Sequence, residues 1–376
     1  MTATGDGADR RTVDGLADPP VSGTPQIDDD LDPEIAGGQL ALARRLRQPR
    51  TIISILVPLA VIALFVSLNG EQLARVPGLI AQADVRLALV AFLVFYAGFP
   101  LRGLRWAILV RGTGTRIGTK DSTEIIFLSW LVNCVVPAKL GDVYRAYLLK
   151  INTGASLSRT FGTVFIERVL DLVVIALLGI AAGYWSFRNG LPPPIQLVFA
   201  IGLIVVAALA VGLFTMRNFG RRILVALPFP ARIVEFYDRF EEGVFGAMAL
   251  RQMPFLGGLT GMIWMTEALR LFLVIQAFGF TDVSLGLSGA VFVALIGSLL
   301  TAVPLSPAGL GIVEAGIVGV LTVAYGVPLA EATAIALLDR VISVFSIIVL
   351  GTIGYLVSSK PRGLRPTTQP GVPSAD

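Results

Sequence analysis

The sequence predicts an all-α, polytopic membrane protein laid out as an inverted repeat, with three spans plus one re-entrant broken-helix hairpin in each half. Composition is the first reason. Of 376 residues, 55% are hydrophobic and only 15% charged, where a soluble domain carries about a quarter charged residues; too few charges exist to cover a water-facing surface. The second reason is run length. Apolar stretches of about 20 residues match the hydrocarbon thickness at a helical rise of about 1.5 Å per residue, and in lipid only a helix or a closed barrel satisfies every backbone group. Continuous Leu, Ala, Ile and Val choose the helix. The third reason is an ordered correspondence between the two halves.

The elements follow in order. Residues 1–37 are acidic and rich in Gly, Asp and Pro, the composition of a disordered tail. The basic block 44–50 (RRLRQPR) precedes the first apolar run and reads as a cytoplasmic anchor of a retained helix, not as part of a cleaved signal. Spans are expected at 51–68 and 85–109, the second ending among Arg102, Arg105, Arg111, Arg116 and Lys120. A short apolar piece, 123–136, stops at Pro137 and is followed by an amphipathic piece, 140–150; too short to cross, the pair reads as a hairpin dipping in from the cytoplasm. Spans at 160–187 and 195–216 flank the turn Leu191-Pro192-Pro193-Pro194, and a mixed segment, 222–253, lies along the cytoplasmic surface. A span at 255–279, a second broken pair at 286–303 and 310–326, and a last span at 332–357 complete the chain. Basic residues at 44–50, 217–222 and 360–365 put both termini in the cytoplasm.

Laid over each other, the halves match at Leu104-Arg105 with Leu269-Arg270, Val135-Val136-Pro137 with Ala302-Val303-Pro304, Gly141-Asp142 near Gly311 and Glu314, and Glu167-Arg168-Val169 with Asp339-Arg340-Val341. Three crossings per half is odd, so the second copy is expected upside down, an architecture common among secondary transporters. The expected division is a disordered cytoplasmic tail (1–43), a first membrane repeat (44–190), an inverted second repeat (191–358) and a second cytoplasmic tail (359–376).

Charges inside the spans are the candidate functional residues, since each costs roughly 2.5–3.5 kcal/mol at mid-bilayer on insertion scales. Glu167 and Asp171 share a helix face, and Arg168 stands within pairing reach of Asp171. Glu267 and Arg270 have the same three-residue spacing; Asp339 and Arg340 open the last span, and Glu314 follows the second break. Two readings stand: interhelical ion pairs that fix the bundle's register, or the lining of a polar cavity for a zwitterionic or anionic headgroup. At the first break Asn133, Pro137, Lys139, Gly141, Asp142 and Arg145 place a helix stop beside basic residues and helix-terminal amides, an anion-friendly spot. At the second, Pro304, Ser306, Pro307, Gly309 and Gly311 repeat the device. The alternative at each break is a plain loop between two spans.

The chain has no histidine and one cysteine, Cys134. No internal disulfide forms, a His-based triad is excluded, and a metal site would need carboxylates alone; Glu167 and Asp171, the one close pair, flank Arg168, which competes with a cation. No metal and no cofactor are expected.

The Pro-x-x-x-Gly-Asp-x-x-Arg run at 137–145, Glu167-Arg168-x-x-Asp171, and Ser306-Pro307-Ala308-Gly309-Leu310-Gly311-x-x-Glu314 resemble the lysylphosphatidylglycerol synthetase transmembrane-region family of flippase-like membrane proteins. The resemblance covers roughly 50–358. Asp142 departs from the glutamate usual there, keeping the charge but shortening the reach. The resemblance implies lipid translocation or handling of lipid-linked sugars, without the cytosolic aminoacyl-transfer domain, for which the spans leave no room. The expected protein is a flippase or transporter, not an enzyme, of a bacterial-type plasma membrane. Its partners are lipids and no nucleic acid, with the acidic tail a surface for a protein partner. The alternative is a membrane-embedded enzyme or subunit acting on lipid-linked sugars or phospholipids.

Overall fold

Asp84 starts the first long helix, its carboxylate accepting from the Arg86 amide at 2.7 Å. That helix, α1 (Val85–Gly112), runs through Pro100 and embraces the predicted 85–109 span. The computed structural model describes residues 70–136, 139–186, 230–280, 285–300 and 306–363, with Ser67 and short pieces between 196 and 226. The predicted first span apart from Ser67, nearly half of the fourth, and both Pro137 and Pro304 lie outside the described residues. Among the described residues every regular element is helical.

After α1 come α2 (Thr119–Val135) and α3 (Leu140–Thr153), the two arms of the first predicted hairpin. At 17 and 14 residues both fall short of the roughly 20 needed to cross. Gly154, at φ 73°, stops α3 in the left-handed conformation. Next, α4 (Leu157–Ser186) runs 30 residues, about 45 Å of helix. The mixed segment contains the amphipathic α5 (Ala231–Ala247). It lies on α4 so closely that a Cβ on Gly243 would sit 2.1 Å from the Arg159 carbonyl oxygen.

The second half is built from α6 (Met253–Ala277), α7 (Leu287–Leu300), α8 (Ile312–Tyr325) and α9 (Leu329–Val357). Within α9 the five residues Val341–Phe345 form a π turn, which the apolar pattern of 332–357 does not disclose. By length and apolarity, α1, α6, Pro307–Tyr325 and α9 can each cross a membrane.

Packing is organised about the α1–α6 pair, which contacts α2, α4, α7 and α9. A buried aromatic cluster of Phe95, Phe99 and Trp106, with Trp130 against it, fills the space beside the pair. The outward surface is apolar: Leu89, Leu93, Leu177, Ile353 and Leu356 are all more than half exposed. Arginines and carboxylates are buried instead. This reverses the pattern of a soluble protein and matches a bundle solvated by lipid.

Candidate functional site

Charged side chains from both halves converge on one cavity of about 200 Å³ between α1, α2, α4, α6 and α9. Seven cations line it against five carboxylates, and a sixth acid, Glu314, is held on Arg340 at 2.9 Å, so the set retains one positive charge.

In the first half the charges form a closed circuit. Arg105, on α1 and 2% exposed, grips Asp171 through both Nη atoms at 2.6 and 3.4 Å and reaches Glu167 at 3.1 Å. Glu167 binds Arg145 of α3 at 3.1 Å, Arg145 reaches Asp142 at 3.5 Å, and Asp142 takes both its oxygens to Arg168 at 2.8 Å. Arg168 returns to Asp171 at 3.7 Å. Three arginines thus alternate with three carboxylates on three helices, each charge between two of opposite sign, an arrangement that offsets the desolvation of burial. Thr260 accepts from Arg105 at 3.0 Å, and the Trp264 indole donates to Asp171 at 3.1 Å. Arg145 lies over the Trp106 ring at 4.9 Å. Glu167 and Asp171, spaced to share a cation, close on an arginine.

The second half carries a corresponding but open set. Arg270 of α6 binds Asp339 of α9 at 2.9 Å, as Arg105 of α1 binds Glu167 of α4. Arg340 meets Glu314, as Arg168 meets Asp142. Glu267 joins Arg270 at 3.0 Å and pairs across the α1–α6 contact with Arg102, which stacks over Trp130 at 4.8 Å.

The two breaks position these charges. Each puts a non-glycine residue in the left-handed region, Lys139 at φ 53° and Ala308 at φ 51°, strain of the kind that concentrates at functional sites. Lys139 ends in the cavity and makes no ion pair among the described residues. The Asn133 side-chain oxygen accepts from the Gly141 amide at 2.8 Å and ties α2 to the start of α3. A Cβ on Gly141 would stand 2.1 Å from the Ser129 carbonyl oxygen. At the second break Ser306 donates to the Leu310 carbonyl at 2.9 Å, Pro307–Gly309 form a single tight turn, and Gly311 opens α8 at φ 85°. The second Glu314 oxygen accepts from the Gly311 amide at 2.7 Å.

Of the residues singled out in the sequence, the cavity gathers Arg105, Asn133, Lys139, Asp142, Arg145, Glu167, Arg168, Asp171, Glu267, Arg270, Ser306, Gly309, Asp339 and Arg340. Gly141, Pro307, Gly311 and Glu314 support it without being among its lining. The expected pool of helix-terminal amides is partly occupied within the chain, since Asn133 and Glu314 take the Gly141 and Gly311 amides. Arg102, read as a basic flank of the second span, is 6% exposed at the centre of the bundle. Its signal was available: it stands three residues before Arg105, as Glu267 stands three before Arg270. Trp130, Trp264 and Phe95 also line the cavity, and aromatic residues in an apolar span give no separate sign.

Residues 51–351 match the family model for the lysylphosphatidylglycerol synthase TM region. A UPF0104 membrane protein of Methanocaldococcus jannaschii is 35% identical over 226 residues, 60% of this chain and 93% of the relative. A UPF0104 membrane protein of Methanothermobacter thermautotrophicus is 28% identical over 336 residues, 81% of this chain and 96% of the relative. The glycosyltransferase AglD of Haloferax volcanii is 27% identical over 355 residues, covering 85% of this chain but 56% of the relative.

Proposed function

The chain belongs to the lysylphosphatidylglycerol synthase transmembrane-region family of integral membrane proteins, and from that membership and the cavity we propose that it carries the polar head of a phospholipid or lipid-linked intermediate between leaflets. The observation that carries the reading is a net-positive, ion-lined cavity inside a bundle whose outer face is apolar. At about 200 Å³ the cavity is smaller than the roughly 300–1,000 Å³ of sites that enclose whole drug-sized ligands. A headgroup fits; acyl chains stay in the bilayer.

The two halves act as an inverted repeat around this path, with both termini cytoplasmic in a plasma membrane. Two features support the repeat. The Arg105–Glu167 and Asp142–Arg168 pairs recur as Arg270–Asp339 and Glu314–Arg340. Arg102 and Glu267, which occupy matching positions, touch each other, as residues beside a two-fold axis do. The strained breaks at Lys139 and Ala308 serve as the two gates.

The test is lipid movement in vesicles containing the purified full-length protein and fluorescent phosphatidylglycerol or a polyprenyl phosphate. Wild type is expected to move at least one between leaflets faster than protein-free vesicles, and Glu314→Gln to lose that gain. No movement of either lipid by wild type overturns the reading. A second reading, an enzyme or enzyme subunit acting on lipid-linked sugars or phospholipids, is favoured by the name of the Haloferax volcanii relative. It predicts chemically altered lipid, visible by mass spectrometry of the same vesicles.

A further inference from the structure

Apart from Arg102, which matches Glu267, and Lys139, which has no charged counterpart, the two ionic sets differ at two further positions, and both fall on the cavity wall. In the first half Asp171 follows Glu167 by four residues and braces Arg168; four residues after Asp339 stands Ser343. In the first half Arg145 follows Asp142 by three residues and closes the circuit; three residues after Glu314 stands Ile317. Ser343 and Ile317 both line the cavity. The second half therefore lacks one carboxylate and one arginine of the first, and Arg340 stands without the brace that Asp171 gives Arg168.

Arg340 shows the consequence. It is 7% exposed, its Nε is engaged by Glu314 at 2.9 Å, and its Nη2 makes no hydrogen bond among the described residues. Arg168, in the matching position, gives Asp142 two hydrogen bonds at 2.8 Å. A guanidinium buried with unused donors carries a desolvation cost that a planar or tetrahedral oxyanion offsets by accepting them. Ser343 does not fill the role: its hydroxyl turns back to donate to the Asp339 carbonyl at 2.8 Å. It also sits in the π turn Val341–Phe345, a distortion found mostly at functional sites, whereas α4 is regular α-helix throughout.

We propose that the place beside Arg340 and Ser343 binds a phosphate-type oxyanion, which meets the guanidinium of Arg340 from the position that Asp171 takes beside Arg168 in the first half. A phosphodiester carries one such charge, and the cavity's ionic set is positive by one, with Lys139 its cation outside any ion pair among the described residues. The choice of a lipid phosphodiester over free phosphate rests on the lipid-carrying reading; the site itself does not. The first half's closed circuit is then the fixed frame, and the second half is the side that takes and releases the head.

The experiment supplies the missing carboxylate from the protein. Binding to purified full-length protein is followed by tryptophan fluorescence, since Trp130 and Trp264 line the cavity, with phosphatidylglycerol, diacylglycerol and inorganic phosphate as probes. Wild type is expected to bind phosphatidylglycerol at least tenfold tighter than diacylglycerol, a gap of about 1.4 kcal/mol. Ser343→Asp is expected to weaken phosphatidylglycerol at least tenfold while unfolding at a higher temperature than wild type, because it completes the pairing of Arg340. Ser343→Ala, which adds no charge, should stay within threefold of wild type. Inorganic phosphate competing with the lipid identifies a free-anion site of the same chemistry; failure to compete assigns the site to the lipid. Equal binding by wild type and Ser343→Asp, or no preference of wild type for phosphatidylglycerol over diacylglycerol together with no binding of phosphate, overturns the proposal. Ser343→Asp that loses binding in a protein that moves no lipid keeps the subsite and removes the transporter reading. Lipid movement that Ser343→Asp leaves intact does the reverse.

Discussion

Arg105→Ala tests whether the closed circuit holds the first half together. The substitution takes from Asp171 its contacts at 2.6 and 3.4 Å and from Glu167 one at 3.1 Å. Glu167 still has Arg145 at 3.1 Å, whereas Asp171 retains the Trp264 indole at 3.1 Å and Arg168 only at 3.7 Å. The damage therefore concentrates on Asp171, a carboxylate 6% exposed. Removing one partner of a buried pair costs about 3–5 kcal/mol. An exposed pair contributes about 0–1 kcal/mol, and Arg159–Glu242, with side chains 38% and 58% exposed, is such a pair. Arg105→Ala is thus expected to destabilise by at least about 2 kcal/mol more than Arg159→Ala. Adding Asp171→Asn to Arg105→Ala should recover part of the loss, because the stranded charge is gone. Unfolding by SDS titration in mixed micelles measures all three. Equal midpoints for Arg105→Ala and Arg159→Ala would refute the reasoning.

Gly141→Ala should part α2 from α3, because its Cβ would lie 2.1 Å from the Ser129 carbonyl oxygen; the loss of monodisperse protein in size-exclusion chromatography reads it. Gly311→Ala should cost about 1–3 kcal/mol for a side chain at φ 85° and yield folded protein with slower lipid movement in vesicles. Gly243→Leu should lift α5 from α4, since even a Cβ there meets the Arg159 carbonyl at 2.1 Å, and new tryptic cleavage within Ala231–Ala247 would show it. Both tails are expected to be cytoplasmic: a cysteine placed in either, in a Cys134→Ala background, should resist an impermeant thiol reagent on intact cells, and labelling there reverses the topology.

Much of this architecture is legible in the sequence because membrane insertion penalises ambiguity. A run such as 85–109 without acids, or a 14-residue piece ending at Pro137, admits few structures in lipid, and α1 and the short α2–α3 pair follow from those facts. The acid–Arg–Val repeat likewise marked Glu167-Arg168 and Asp339-Arg340, which the fold places in matching ion pairs. Other features depend on distances that spacing does not encode. Arg102 at the edge of an apolar run reads as an interfacial anchor until α6 is known to bring Glu267 against it. The π turn at Val341–Phe345 changes hydrogen-bond register without changing apolar pattern. Gly311 was legible as a break, but the use of its amide by Glu314 requires the geometry of the turn.

The circuit of alternating charges has a further consequence for how the chain is made. Every member lies between residues 105 and 171, so the set becomes neutral as soon as α4 has left the ribosome. Arg105 is separated from Asp171 by 66 residues, roughly 3–13 s at about 5–20 residues per second. Arg102 is separated from Glu267 by 165 residues, roughly 8–33 s at that rate. The first half can therefore leave the insertion machinery with these six charges already matched, as a template. The second half, arriving later, supplies the counter-charge to an arginine held in waiting.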